Sequence, residues 1–104
     1  MFVAMNRFAI NPGREADFET AWRSRRSFLD SVPGFVHFAL LKGDQPGEYI
    51  SHTTWQSRAA FEAWTTSEQF RAGHGQTAMD GVLAGHPAVS LYEVALEQAA
   101  PAAV

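Results

Sequence analysis

Asn6, Trp64 and His74 are the residues of this chain whose types could do chemistry together. A neutral imidazole is the commonest protein ligand for a transition metal, iron included. An asparagine amide donates a hydrogen bond to an oxygen atom but cannot deliver the proton of a carboxylic acid. A rigid indole presses by its bulk on whatever lies against it. Singly, each has a plainer explanation. A lone histidine is ordinarily a surface or capped residue, and an aromatic at helical spacing from Phe61 is ordinarily core. A strand asparagine ordinarily bonds a neighbouring backbone group.

Two of the three fall in one stretch, Ser57 to His74. Ser57 is a candidate N-cap for a helix through Phe61 and Trp64, and Ser67 for a second through Phe70 and His74. Asn6 lies in an N-terminal strand from Phe2 to Ile10 that stops at Asn11-Pro12-Gly13. Strand alternation puts Phe2, Ala4, Asn6, Phe8 and Ile10 on one face, so Asn6 is the polar exception on an apolar side. Apolar residues at helical spacing predict a helix from Arg14 to Val32, with Glu15, Glu19 and the arginines facing out and Pro33-Gly34 stopping it. Phe35 to Lys42 reads as a second strand, Gly43 to Gly47 as a hairpin loop, Tyr49 to Trp55 as a third strand and Val89 to Leu96 as a fourth.

The order is β-α-β-β-α-β with a broken second helix, an α+β, ferredoxin-like arrangement with an antiparallel sheet. The second strand is apolar on both faces, which predicts helices over one side of the sheet and a second copy of the chain over the other. The expected assembly is a homodimer forming an α/β barrel. Residues 1–97 are read as one domain and 98–104 as a flexible tail.

Eight Phe, three Trp and two Tyr among 104 residues supply a packed core with aromatic surface to spare. The formal net charge of −3 argues against a nucleic-acid partner, and the cluster Arg23, Arg25, Arg26 reads as a solvated helix face. With no cysteine, disulfides, thiolate nucleophiles and Cys-based metal sites are excluded. No apolar run approaches the ~18 residues of a membrane-spanning helix, and the expected location is the cytoplasm.

The step Asn6-Arg7, then Pro33-Gly34-Phe35, Trp55-Gln56-Ser57, Ala60-Phe61, Ala63-Trp64 and a following His74 resemble the antibiotic-biosynthesis-monooxygenase superfamily. The likeness runs from about Met1 to Leu96, and the set Asn6, Trp64, His74 looks most like the IsdG-type haem-degrading monooxygenases. The resemblance implies haem as both substrate and oxygen activator. It makes His74 the axial iron ligand, Trp64 a wall that buckles the porphyrin, and Asn6 a hydrogen-bond partner of the iron-bound oxygen. Phe70, Arg7 and Arg71 join Trp64 and His74 as haem-binding candidates, with His86 a further candidate for the propionates. His37 and His52, on strands, are read as structural. Electrons are expected from an external donor. Two other functions fit the same residues: a cofactor-independent monooxygenase acting on a hydroquinone-like or polyketide aromatic, and a haem-binding dimer without catalysis.

Overall fold

A computed structural model describes residues 1–25, 27–74 and 81–101, the side chains of Gly73 and His74 excepted. Four strands form one antiparallel sheet: β1 (Phe2–Ala9), β2 (Phe35–Lys42), β3 (Glu48–Trp55) and β4 (Ala88–Glu93), in the order β2-β3-β1-β4. Three helices accompany them, α1 (Glu15–Ser24), α2 (Arg58–Thr65) and α3 (Glu68–His74). This is the ferredoxin-like arrangement expected of the sequence. Among the described residues no helix is long and apolar enough to cross a membrane.

The even positions of β1 are the core face. Phe2, Ala4, Phe8 and, just past the strand, Ile10 are buried, whereas Arg7 and Ala9 are exposed. Two apolar clusters build on that face. One joins Phe8, Ile10, Phe18, Tyr49 and Val82; the other joins Phe2, Leu29, Val32 and Trp55, with Phe61 and Trp64 packed against it.

The Pro33-Gly34-Phe35 step has a structural cause. Gly34 takes φ +82°, in the left-handed region, and a β-carbon there would collide with that of Ala60 on α2. Its carbonyl accepts from Gln56 N at 2.8 Å, and Phe35 packs edge-on against Trp55. This one glycine therefore ties the start of β2 to the start of α2. Gly34→Ala is expected to destabilise the fold by about 2–4 kcal/mol, the sum of a strained φ and a backbone displacement, measured as a shift of the urea midpoint.

The first helix is shorter than its periodicity predicts. It ends at Ser24, Arg25 turns to an extended conformation (φ −69°, ψ 147°), and a one-turn 3-10 helix covers Leu29–Ser31. Ser24 Oγ bonds back to Thr20 O and Ser27 Oγ accepts from Leu29 N, so two serines take over backbone groups that a continued helix would use. Leu29 and Val32 then reach the second cluster by a route that a straight helix would not allow. The fourth strand also stops early, at Glu93, leaving Leu96 91% exposed.

Candidate active site

Asn6 stands on the helix-covered face in register with Ser51 on β3 and Val89 on β4. Its row crosses the sheet between the two aromatic clusters and carries Leu40 on β2. The neighbouring row is Ala4 and Thr53, the latter buried with its hydroxyl donating to Ala4 O and accepting from Trp55 Nε1. On β1 and β3 the middle of this face is thus small and polar where both ends are aromatic. Asn6 Oδ1 is buried with no hydrogen-bond partner among the described residues. Beyond Asn6, Val89 is 64% and Leu91 39% exposed, an apolar shelf on the same side of the sheet.

The helices place the aromatic wall. Ser57 Oγ caps α2 by accepting from Ala60 N at 3.1 Å, as its sequence predicts. Ser67 Oγ accepts from Phe70 N and donates to Trp64 O, which breaks the chain into two helices and turns α3 against α2. The Trp64 ring lies 5.0 Å from Trp55, and Phe70 meets it edge-on at 4.8 Å and 82°. Trp64 and Phe70 are thereby brought together. His74 closes α3, one turn beyond Phe70, and its side chain lies outside the described residues. Arg71 is exposed on the same helix, and His86 is exposed in the loop before β4.

Arg7 is not brought to this site. Strand alternation turns it to the opposite face of the sheet, where it pairs with Glu48. His52 and His37 share that helix-free face with Val3, Met5 and Ile50.

Glu19 on α1 and Arg25 just beyond it, both read from sequence as facing solvent, are half-buried. Arg25 lies over the rings of Trp22 (4.5 Å) and Phe38 (5.1 Å), and burial lowers its pKa. Glu19 accepts a hydrogen bond from Tyr49 Oη and sits within 3.5 Å of Lys42 Nζ. Beside them a cavity of about 260 Å³ is lined by Trp22, Phe38 and Leu40 together with Glu19, Lys42 and Tyr49. Arg26 lies outside the described residues. The missed signal for α1 is its own spacing: Phe18, Trp22 and Arg25 follow at i+4 and i+3 and share one face.

The Tyr49 hydroxyl holds the Glu19 carboxyl below its usual range, assisted by Lys42 and Arg23 against the opposing effect of burial. Burial in turn pushes the Tyr49 phenol up to about 12, reinforced by Glu19. A raised folded value means that neutral Tyr49 contributes stability below about pH 10, the free phenol's pKa. That contribution is lost as pH climbs to about 12. The urea midpoint should fall across this window in the native chain and fall less in Tyr49→Phe. Glu19 acts at the other end: its depressed pKa gives stability above the ordinary carboxylate range that is lost as pH drops through the lowered value.

Among the described residues no group of three or more His, Asp or Glu could hold a metal ion. One buried amide and two aromatics that meet edge-on suit a flat hydrophobic molecule better than a bare cation.

The four-stranded antiparallel sheet with its helices on one face is a ferredoxin-like α+β fold. The chain belongs to the antibiotic biosynthesis monooxygenase family, whose sequence profile matches residues 1–76. A Mycobacterium tuberculosis protein named heme oxygenase (mycobilin-producing) is 30% identical over 79 residues, 73% of each chain. Among solved structures, the heme-degrader MhuD from Mycobacterium tuberculosis, with two hemes bound in its active site, superposes with a TM-score of 0.78. It is 27% identical, and the match covers 95% of this chain and 100% of that one. SnoaB, a cofactor-independent oxygenase from Streptomyces nogalater, superposes at 0.71 with 22% identity over 92% of this chain and 94% of its own. At that identity the likeness to SnoaB concerns the fold alone.

Proposed function

We propose that this chain is a haem-degrading monooxygenase. It takes haem as substrate, cleaves the porphyrin with dioxygen and electrons from an external donor, and releases iron and a bilin-type product. The observation that carries this reading is the buried, unpartnered amide oxygen of Asn6, set between two aromatic clusters on the side of the sheet where Trp64 and Phe70 stand. A buried amide oxygen without a partner is a cost that a bound molecule can relieve. The likeness to the named heme oxygenase and to heme-bound MhuD supports haem as that molecule.

When bound, haem supplies an iron that activates dioxygen and the ring that is opened. The chain's residues have separate tasks. The His74 imidazole would hold the iron. Trp64, braced by Trp55 and Phe61, presses on the porphyrin, and Phe70 completes that wall. The Asn6 amide N–H would donate a hydrogen bond to bound oxygen. Exposed Arg71 is assigned to the propionates; Arg7, on the other face and paired with Glu48, is not.

The helix-free face carries half-buried Val3, Met5 and Ile50 with exposed Val36, Leu41 and Tyr92. A second copy covering it gives the proposed homodimer, and the proposed location is the cytoplasm. Visible titration of the purified protein with hemin tests the function. A saturable Soret shift that bleaches on adding ascorbate in air, with catalase present, is the expected result. Saturable binding without bleaching would contradict catalysis.

A further inference from the structure

We propose that Trp22 contacts the substrate, its indole N–H donating a hydrogen bond to an acceptor atom of the bound molecule; for the identity of that molecule this rests on the haem reading above. An indole nitrogen is a donor only, so no change of tautomer or flip can satisfy it. Trp22 Nε1 is buried and has no acceptor among the described residues. The same kind of donor is satisfied elsewhere on this sheet, where Trp55 Nε1 meets Thr53 Oγ1 at 3.0 Å. Phenylalanine would fill most of the Trp22 site without carrying an orphan donor.

The position of the ring matters as much as its missing partner. Trp22 stacks on Phe38 at 5.7 Å and 18°, and meets Phe8 edge-on at 5.8 Å. In the sheet register Phe38 lies level with Thr53 and Ala4, and Phe8 level with Tyr49 and Lys42. A ring in contact with both therefore spans the intervening row, which holds Leu40, Ser51 and Asn6. Asn6 Oδ1 is the other buried side-chain polar atom left unpaired among the described residues. Two orphaned groups, one on α1 and one on β1, converge on one row of the sheet. A bound molecule that brings an acceptor to the indole N–H and a donor to Asn6 Oδ1 satisfies both, which a purely structural tryptophan does not explain. Because Nε1 is closed off from solvent in the free chain, Trp22 must lift from Phe38 for the contact to form.

The test uses Trp22→Phe and gallium protoporphyrin IX, a diamagnetic porphyrin that is bound without being turned over. In a ¹H–¹⁵N spectrum of the native chain, the indole cross-peak missing from the variant is that of Trp22. It is expected to move downfield on titration while the Trp55 indole stays in place. The variant should bind the porphyrin about tenfold more weakly, the loss of one hydrogen bond, and its free form should melt at a higher temperature than the native chain. A Trp22 cross-peak that stays still while other signals shift overturns the proposal, as does equal affinity in the variant. If the native chain does not bind the porphyrin at all, the haem reading falls. Melting then judges Trp22: a stabilised variant keeps it as a donor held for a bound molecule, and an unchanged or lower melting temperature rejects it.

Discussion

His74→Ala is expected to abolish the Soret signature of histidine-ligated iron and to lower the rate of haem bleaching by more than 100-fold. Loss of groups that merely orient a metal ligand costs about 10–100-fold, so loss of the ligand itself must exceed that. The fold should survive, because His74 is the last residue of the seven-residue α3 and the aromatic wall is built before it, by Trp64 and Phe70. Circular dichroism of the variant should match that of the native chain. Exogenous imidazole should restore part of the spectrum by taking the vacated coordination position. A variant with the native Soret band would remove His74 from the site.

Trp55→Ala is expected to destabilise the chain by about 3–5 kcal/mol, the usual loss for a buried tryptophan. For a domain of this size that is a fall in Tm of roughly 12–40 °C, at about 4–8 °C per kcal/mol. Trp55 is fully buried and shares ring contacts with Phe35, Phe61 and Trp64, while its indole N–H is bonded to Thr53. Its removal therefore opens a cavity and strips the support from the one wall of the site that faces Phe70. Haem affinity should fall together with stability. A loss under about 1 kcal/mol in urea unfolding, within the range of ordinary surface changes, would show that the second cluster is not the anchor of α2.

What the sequence made legible was local. The alternation of Phe2, Ala4, Asn6 and Phe8 marked Asn6 as the polar member of a core face, and the strand puts it there. Ser57 and Ser67 announced both helix starts by side-chain chemistry that needs no partner from elsewhere in the chain. Pro33-Gly34 marked the turn, though only the packing against Ala60 explains why the glycine is required.

Where tertiary contacts decide, pattern failed. Phe28, Leu29 and Val32 continue the helical period of α1, yet the chain leaves the helix at Arg25 and brings Leu29 and Val32 to a different cluster. Glu19 and Arg25 look like solvated charges until Tyr49 and the Trp22–Phe38 stack are placed beside them. Arg7 is a candidate for the propionates, but adjacent strand residues point to opposite sides and it pairs with Glu48 away from Asn6. Trp22 was hidden for another reason: on an amphipathic stripe an indole reads as bulk, and its unsatisfied N–H exists only in the packed chain.

Opening of a porphyrin by dioxygen is read from the mass of the product made from hemin under isotopically labelled dioxygen. A linear tetrapyrrole carrying oxygen from the labelled gas, formed together with chelatable iron, is the predicted result. Recovery of intact hemin, or of a bleached product with no label from the gas, would contradict it.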